Sequence, residues 1–567
     1  MLYPSSRTEV FARNCVATSQ PLAAHAGLEM LRRGGNAADA AVAAAMALTV
    51  VEPTSNGIGS DAFALVWSGG GLHGLDASGR SPRLMTRDLY DGEERVPFFG
   101  WDGVTTPGAP GAWAALAEKF GTLPLATLAE PAVRYARDGF HVSPEVQYWW
   151  ARSAERYTGD RFAEWRRIFT VNGGGRAPAV GELFRLPDHA RTLEEIAATN
   201  AESFYRGRLA EQIDAAARAA HDAGDARAAL RAADLAAFEP AWVRPIATDY
   251  PCRAGASAAG GYAARVPDGG AIRLHEIPPA GQGITALIAL GILREAGFDL
   301  ADPDRFPRDA AASLHVQIEA MKLAFADAHA HVADPAHMRV RTEDLLDPAY
   351  LAQRAARIDP RRATVQPPGD PKPGGTVYLT AADADGNMVS FIQSNYTGFG
   401  SGVVVPGTGV ALQNRGACFT LEPGHPNELG PNKKPYHTII PGFLTRVDER
   451  GRESAWSSFG VMGGFMQPQG HAQVVHRLCD LGQSPQTALD APRWQIDRDQ
   501  KVSIEPGFDA AVHEELRAMG HELELADRRN ARFGRGQAIV LLDDDAAGGV
   551  AYAAASEPRA DGLALGF

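Results

Sequence analysis

The chain has 567 residues, of which 45% are hydrophobic, and its 55 basic and 68 acidic residues give a formal net charge of -13. This length and composition predict a globular protein with a substantial core in one large or two ordinary domains, and the negative charge argues against a nucleic-acid-binding surface. The four cysteines lie far apart with no CxxC pair, which argues against a zinc cluster or a disulfide scaffold and favours a reducing compartment.

The first elements predicted are a short strand at residues 15–18 and two helices. Pro21 begins the first helix and the Gly34-Gly35 pair ends it. The second helix, residues 37–51, is apolar on nearly every face and should be buried between layers. At about 15 residues it is shorter than a membrane span, and the N-terminus has no signal-peptide pattern, so we expect a cytoplasmic protein without a membrane partner. Paired strands follow within residues 61–77.

The middle of the chain is predicted to be mostly helical. Residues 110–240 include an Ala, Glu and Arg-rich helical stretch at 194–221. Residues 272–297 then read as a strand, a Pro-Gly elbow and an apolar helix, and another helix is predicted over 310–328. The segment 358–375 is rich in Pro, Gly, Arg and Asp and is the strongest linker signal in the chain.

Strands dominate after this linker. A hairpin is predicted over residues 376–394, with its tight turn at Asp385-Gly386. A helix is expected over 469–481. The remaining predicted strands are 402–412, 437–446, 454–459 and 537–542.

Thr376 stands at the boundary between the linker and the first strand of the hairpin. Two prolines and two glycines lead up to it, in the sequence PKPGGT. If the chain is cut before Thr376, its new α-amine has a pKa of about 7.7 to 8.0 and can act as the base for its own hydroxyl. A Gly-Thr pair at a strand start is also a common turn, so this interpretation needs further support.

That support comes from motifs spread over the whole chain, and these resemble the γ-glutamyltranspeptidase family of N-terminal nucleophile hydrolases. The resemblance implies a four-layer αββα fold, an α/β (α+β) class, and a proenzyme that cleaves itself between Gly375 and Thr376. Residues 1–375, with the 358–375 linker, and residues 376–567 would then form two subunits that stay associated; a higher homo-oligomer is left open. No cofactor is expected. The motifs are RRGGNAADAAVAAAMALTVVEPTSNGIG, IPPAGQG, IEAMKLAFAD, GGTVYLTAADADGN, FGSGVVVPGTGVALQN, GPNKKPYHTIIP, MGGFMQPQGHAQVV and ALDAPRW.

The resemblance also implies roles for individual residues. Thr376 matches the family's nucleophile, and Gly463-Gly464 match the glycine pair whose backbone N–H groups form the oxyanion hole. Such donors can each contribute roughly 2.7 to 4 kcal/mol to transition-state stabilisation. Ser394 matches a hydroxyl that lies beside the nucleophile.

The chain departs from the family pattern where a transpeptidase binds the α-ammonium of its substrate. Cys418 and Arg415 stand in the places of a carboxylate and an amide, and His437-Thr438 replace two adjacent serines. Tyr396 replaces an asparagine near the nucleophile. Arg80 lies two positions later than the arginine that binds the α-carboxylate in the family. We therefore expect these residues to select a different small-molecule amide.

A pocket with Arg415, and with Arg80 as a candidate second cation, favours an acyl group with a carboxylate and no amine, because arginine binds carboxylate through two parallel hydrogen bonds. The hypothesis is hydrolysis of a monoamide of a dicarboxylic acid, oxamate-like or glutaryl-like, as in the atypical branch of oxamate amidohydrolases and cephalosporin acylases that the chain resembles. Two alternatives stay open. One is a true γ-glutamyl hydrolase or transferase acting on glutathione or other γ-glutamyl compounds, and the other is an uncleaved, non-catalytic binding protein.

Other candidate sites are weaker. Asp327, His329, His331 and Asp334 offer metal-ligand types, but the two histidines should point to different sides of a helix end, so no metal site is expected. The GFGSG run at 398–402 lacks the strand and helix that frame a dinucleotide loop and is interpreted as a turn. Cys418 is interpreted as a small buried hydrophobe.

Overall fold

Two seven-stranded antiparallel sheets face each other between two layers of helices in the computed structural model, which describes residues 7–251, 271–365, 375–497, 499–526, 531–542 and 549–567. The strands are β1 (Val10–Ala12), β2 (Cys15–Thr18), β3 (Asp61–Ser68), β4 (Gly71–Ala77), β5 (Phe140–His141), β6 (Leu183–Phe184), β7 (Ala241–Val243), β8 (Ile246–Tyr250), β9 (Ala271–Glu276), β10 (Gly375–Ala382), β11 (Met388–Tyr396), β12 (Gly442–Val447), β13 (Glu453–Met462), β14 (Trp494–Ile496), β15 (Val502–Ile504), β16 (Leu523–Leu525), β17 (Arg535–Leu542), β18 (Ala551–Ser556) and β19 (Leu563–Gly566).

The helices pack on the outer faces of the two sheets or form part of the connections between strands. They are α1 (Pro21–Arg32), α2 (Ala37–Val51), α3 (Ala109–Phe120), α4 (Leu125–Asp138), α5 (Pro144–Arg156), α6 (Ala163–Phe169), α7 (Pro187–Ala198), α8 (Glu202–Arg206), α9 (Arg208–Asp222), α10 (Ala232–Ala236), α11 (Gly283–Glu295), α12 (Ala311–His331), α13 (Thr342–Leu345), α14 (Pro348–Ala355), α15 (Met466–Cys479), α16 (Pro485–Asp490) and α17 (Ala510–Ala518).

The two large sheets combine strands from both sides of Thr376. One has the order β19-β2-β10-β11-β3-β4-β7 and the other β1-β18-β17-β13-β12-β9-β8. Their facing surfaces enclose an apolar layer that includes Phe63, Tyr378, Ile392 and Phe443. Helices α1 to α4 cover the outer face of the first sheet, and α11, α12 and α15 cover that of the second. The four-layer αββα fold expected from the sequence is therefore confirmed.

Helix α2 shows how local sequence fixes a central element. Asn36 accepts hydrogen bonds from the N–H groups of Ala38 and Asp39, and the Asp39 carboxylate accepts from the Asn36 N–H, which together form a capping box. Every residue from Ala37 to Val51 is buried. The prediction of a fully buried helix over 37–51 is thus correct in type and in bounds. No helix among the described residues is long and apolar enough to cross a membrane.

The prediction of a strand over 402–412 is wrong. This stretch forms turns, with isolated bridges between Val404 and Ala411 and between Leu412 and Gly59. Gly402, Gly407 and Gly409 all have positive φ, so the backbone turns repeatedly although the apolar residues around them resemble a strand.

Other boundaries also shift. The strand predicted over 437–446 begins only at Gly442, and residues 437–441 run as irregular chain into the site described below. The helical stretch at 194–221 is divided among α7, α8 and α9. The hairpin over 376–394 is confirmed as β10 and β11, whereas residues 366–374 of the predicted linker lie outside the described residues.

Candidate active site

Thr376 lies at the start of β10, in the middle of the first sheet, and its side chain is directed to β11. Its Oγ1 donates to Ser394 Oγ at 3.1 Å, and Ser394 Oγ also accepts from the Tyr396 N–H at 2.8 Å. The register of the β10–β11 pair shifts between Gly375 and Val377, so Thr376 sits in a bulge. Bulges re-aim a side chain out of the regular ladder, and this one turns the Thr376 hydroxyl toward Ser394.

The Gly463-Gly464 pair follows β13 of the opposite sheet, and β13 packs against β10. Their φ angles are +145° and +61°, a conformation that favours glycine. The side chain of Gln282 donates to Gly464 O at 2.8 Å and to Thr438 O at 2.6 Å, which fixes the turn. The N–H groups of the two glycines donate to no acceptor among the described residues, so they remain able to bind an oxyanion.

Arg415 is fully buried in a short 3-10 turn at Arg415–Cys418. Its Nη1 donates to Thr438 Oγ1 at 2.6 Å, and its Cζ lies 4.6 Å from the ring centroid of Tyr396. Its Nε and Nη2 have no hydrogen-bond partner among the described residues. Buried polar groups are nearly always hydrogen-bonded, so these two donors are suited to an anionic ligand.

His437 and Asp61 form a second buried pair beside Arg415. His437 Nε2 lies 3.1 Å from Asp61 Oδ2, and the Ile439 N–H donates to His437 Nδ1 at 3.4 Å, which favours the neutral tautomer with hydrogen on Nε2. Burial, with help from the Arg415 charge, lowers the pKa of His437 well below its ordinary value. Burial raises the pKa of Asp61 to about 7, although the nearby Arg415 guanidinium opposes that shift.

These residues form a continuous chain of contacts around the nucleophile. Ser394 joins Thr376 to Tyr396, whose ring joins Arg415. Arg415 contacts Thr438, whose neighbour His437 binds Asp61, and Asp61 pairs with Ser394 in the register of β3 and β11. Six residues identified from the sequence are thus brought together, namely Thr376, Ser394, Tyr396, Arg415, His437 and Thr438.

Arg80 is placed differently. Its Nη1 contacts Asp334 Oδ2 at 2.6 Å and donates to Asn432 O at 3.1 Å, and its side chain is 43% exposed. It lines a small cavity together with Ser78 and Lys434, and that cavity contains none of Thr376, Arg415 and Gly463. We therefore leave Arg80 out of the proposed substrate pocket.

Sequence reasoning missed Asp61 and Gln282. Asp61 lies two residues after the SNGIG run, and Gln282 is part of the IPPAGQG motif. Cys418, expected to be buried, is only partly buried, with its Sγ 3.9 Å from Arg415 Nη1.

Three of the four residues considered for metal binding have other partners. Asp327 pairs with Arg354 at 2.9 Å, and Asp334 pairs with Arg80. The His329 ring stacks on Phe325.

A different group does bring three ligand types together. Potential ligand atoms of His315, Glu319 and His521 lie within 4.8 Å of one another. However, Lys322 Nζ donates to Glu319 Oε1 at 2.8 Å, and Thr364 donates to the other oxygen. Both carboxylate oxygens are therefore in use, and the ammonium group repels a cation.

Comparison with known proteins identifies the chain's family. The family model described as Gamma-glutamyltranspeptidase matches residues 23–567. The glutathione hydrolase-like YwrD proenzyme of Bacillus subtilis is 33% identical over 577 residues, covering 99% of this chain and 100% of the relative. The oxamate amidohydrolase proenzyme of Klebsiella pneumoniae is 34% identical over 560 residues, covering 96% and 97%.

A solved structure agrees with these sequence relatives. The cephalosporin acylase of Bacillus halodurans superimposes with a TM-score of 0.87 at 47% identity, covering 100% of this chain and 98% of the other. Both curated relatives are named as proenzymes, and all three proteins are named as enzymes or as enzyme-like. The chain therefore belongs to the γ-glutamyltranspeptidase family of N-terminal nucleophile hydrolases, and it is an enzyme.

Proposed function

We propose that this protein is an autoprocessing amidohydrolase that cleaves a monoamide of a dicarboxylic acid through an acyl ester on Thr376. The proenzyme is cut between Gly375 and Thr376, giving subunits of residues 1–375 and 376–567. The two subunits stay associated because β10 and β11 lie between β2 and β3 in one sheet, so hydrogen bonds join the two parts of the chain on both sides.

The cut gives Thr376 a free α-amine, which takes the hydroxyl proton as Oγ1 attacks the amide carbonyl. The N–H groups of Gly463 and Gly464 bind the resulting oxyanion. The C–N bond then breaks, and the amine leaves with the proton returned by the Thr376 ammonium. Water attacks the ester while the same α-amine takes its proton, the bond between the acyl carbon and Oγ1 breaks as that proton returns to Oγ1, and the dicarboxylic acid is released. Ser394 orients the Thr376 hydroxyl before the attack.

The single observation that carries the choice of acyl group is the buried Arg415 guanidinium, two of whose nitrogens have no partner among the described residues. A carboxylate at the far end of the acyl group would accept two hydrogen bonds from Nε and Nη2. Tyr396 and Thr438 hold the guanidinium in place. The neutral His437 adds no second positive charge but keeps Asp61 engaged on the other side.

The names of the two relatives point to different acyl groups. Oxamate, named for the Klebsiella relative, is itself the monoamide of a dicarboxylic acid. Glutathione, named in the Bacillus subtilis relative, has a γ-glutamyl group with an ammonium as well as a carboxylate. An ammonium beside Arg415 would be repelled, and unpaired charges in a buried site typically cost about 2 to 5 kcal/mol. We therefore rank a γ-glutamyl substrate second.

The test is to assay purified mature protein with glutaryl-4-nitroanilide, γ-glutamyl-4-nitroanilide and oxamate. We expect turnover of glutaryl-4-nitroanilide or oxamate to exceed that of the γ-glutamyl compound, and fast turnover of the γ-glutamyl compound alone would overturn the choice of acyl group. Thr376→Ala should abolish both cleavage and turnover, whereas Thr376→Ser, which keeps a hydroxyl and an α-amine, should retain both in part.

A further inference from the structure

A cavity of about 370 Å³ opens beside the oxyanion glycine Gly463. Thr397 and Gly398, which directly follow Tyr396 in the chain, form part of its wall. Neither Thr376 nor the acyl-side residues Arg415 and Thr438 line it. A bound amide has one half on each side of its carbonyl, so a space that contains Gly463 but excludes the Arg415 pocket is suited to the leaving amine.

One wall of this cavity is a single face of helix α5. Trp149, Arg152, Ser153 and Arg156 line it, and their spacing of three and four residues places them on one side of the helix. The indole of Trp149 donates to Glu145 Oε1 at 2.8 Å, which holds the ring in place. The face therefore offers two cations around a fixed aromatic surface.

Arg152 and Arg156 are exposed and are held over aromatic rings instead of carboxylates. The Cζ of Arg152 lies 4.4 Å from the ring centroid of Tyr148, and that of Arg156 lies 5.4 Å from that of Phe99. Neither guanidinium lies within 4.0 Å of a carboxylate of any described residue. Stacking of this kind positions a guanidinium without neutralising it.

Two more arginines line the cavity, and both are paired with carboxylates. Arg535 is buried, with Nη1 and Nη2 each 2.9 Å from the carboxylates of Glu52 and Glu145, while its Nε has no partner among the described residues. Arg532 contacts Glu524 at 2.9 Å. The described lining residues include four arginines and no aspartate or glutamate, although the whole chain has a net charge of -13.

We propose that this cavity binds a carboxylate on the leaving amine, so that the preferred substrates are amides with an anionic group on both sides of the bond. The proposal rests on the function proposed above and adds the amine half, which would be an amino acid, a peptide or another amino-carboxylate. The carboxylate stays intact: only the amide C–N bond breaks, and the amine departs with the proton from the Thr376 ammonium. Arg152 and Arg156 supply the uncompensated charge that attracts it.

The test compares two leaving groups of the same shape on one acyl group, 4-aminobenzoate and the neutral 4-aminobenzamide. We expect wild-type protein to have a KM about tenfold lower for the aminobenzoate, since two exposed ion pairs contribute modestly. Arg152→Gln/Arg156→Gln should remove that difference and leave the KM for the aminobenzamide within about twofold. Arg305→Gln is the matched control, because Arg305 is likewise exposed and stacked on a ring, that of Phe306, but does not line the cavity.

The comparison separates this proposal from the choice of acyl group, because the ratio is measured within whichever acyl group, glutaryl or γ-glutamyl, is cleaved. If the γ-glutamyl pair alone is turned over with the expected ratio, the acyl proposal fails and the cavity proposal stands. Equal KM values for both leaving groups, or a ratio unchanged in the double variant, would overturn the cavity proposal.

Calorimetric titration with free 4-aminobenzoate and 4-aminobenzamide tests the same proposal without turnover. Wild-type protein should bind the acid more tightly than the amide, and the double variant should not. Equal binding of the two compounds by wild-type protein would also overturn the proposal.

Discussion

Replacing Arg415 with methionine should lower kcat/KM for substrates whose acyl group carries a carboxylate and change it little for substrates whose acyl group does not. Arg415 is fully buried, and its Nε and Nη2 are available for two charge-assisted hydrogen bonds. At about 1.5 kcal/mol or more for each, their loss amounts to about 3 kcal/mol, or about 150-fold in kcat/KM. Methionine is apolar and of similar length, so it adds no polar group of its own, and Thr438 Oγ1 loses only the hydrogen bond from Arg415 Nη1.

The assay measures kcat/KM of wild-type and Arg415→Met proteins with glutaryl-4-nitroanilide and with valeryl-4-nitroanilide, which has a methyl group in place of the carboxylate. We expect the large loss with the glutaryl compound and a change of about threefold or less with the valeryl compound. Arg415→Lys keeps the charge but loses the planar fork, so its loss should be intermediate. Thermal unfolding and the two-band pattern on a denaturing gel check that folding and cleavage persist.

A similar loss with both substrates would refute the reasoning, since Arg415 would then support the site without contacting the acyl carboxylate. Arg80→Gln provides a second comparison. Its guanidinium pairs with Asp334 at a position that is 43% exposed, so we expect a change in kcat/KM of less than about threefold.

Three further outcomes follow from the site. Gly463→Ala should lower kcat about 100-fold, because φ at this position is +145° and an added Cβ would lie 3.2 Å from Gly534 Cα. The control is Gly451→Ala, since Gly451 also has positive φ but has open space around it. An unchanged kcat in Gly463→Ala would contradict the oxyanion role. Ser394→Ala should lower kcat about tenfold with little change in KM, as expected for the loss of one hydrogen bond to Thr376, and a change confined to KM would argue against it. Burial raises the pKa of Asp61 to about 7, so this side chain is neutral below that pH and negative above it. Because the negative form offsets the nearby Arg415 charge, KM for glutaryl-4-nitroanilide should rise several-fold between about pH 6 and pH 8 in wild type and stay flat in Asp61→Asn. Parallel pH profiles of the two proteins would exclude this coupling.

The sequence predicts best those elements whose cause is local. Helix α2 has its capping residue and its apolar run in adjacent positions, and the β10–β11 hairpin is fixed by the Asp385-Gly386 turn and by alternation. The stretch 402–412 fails because its glycines adopt positive φ, which hydrophobicity does not reveal.

The site is only partly predictable because contacts between residues that are distant in the sequence build it. Thr376 and Gly463-Gly464 can be located through family motifs, but Asp61 reaches His437 only because β3 pairs with β11 in one register. Arg80 pairs with Asp334, 254 residues away in the chain, and no local pattern indicates that contact. The arginine-lined cavity likewise combines α5 with segments that follow β11 and precede β17.

The most direct test of the account is to determine the N-terminal sequence and intact mass of the shorter polypeptide in active preparations. We expect it to begin Thr-Val-Tyr-Leu, with a mass matching residues 376–567, and to be missing from Thr376→Ala protein. A different first residue, or full activity in protein that contains only the uncut chain, would contradict the claim that Thr376 supplies both the nucleophile and its base.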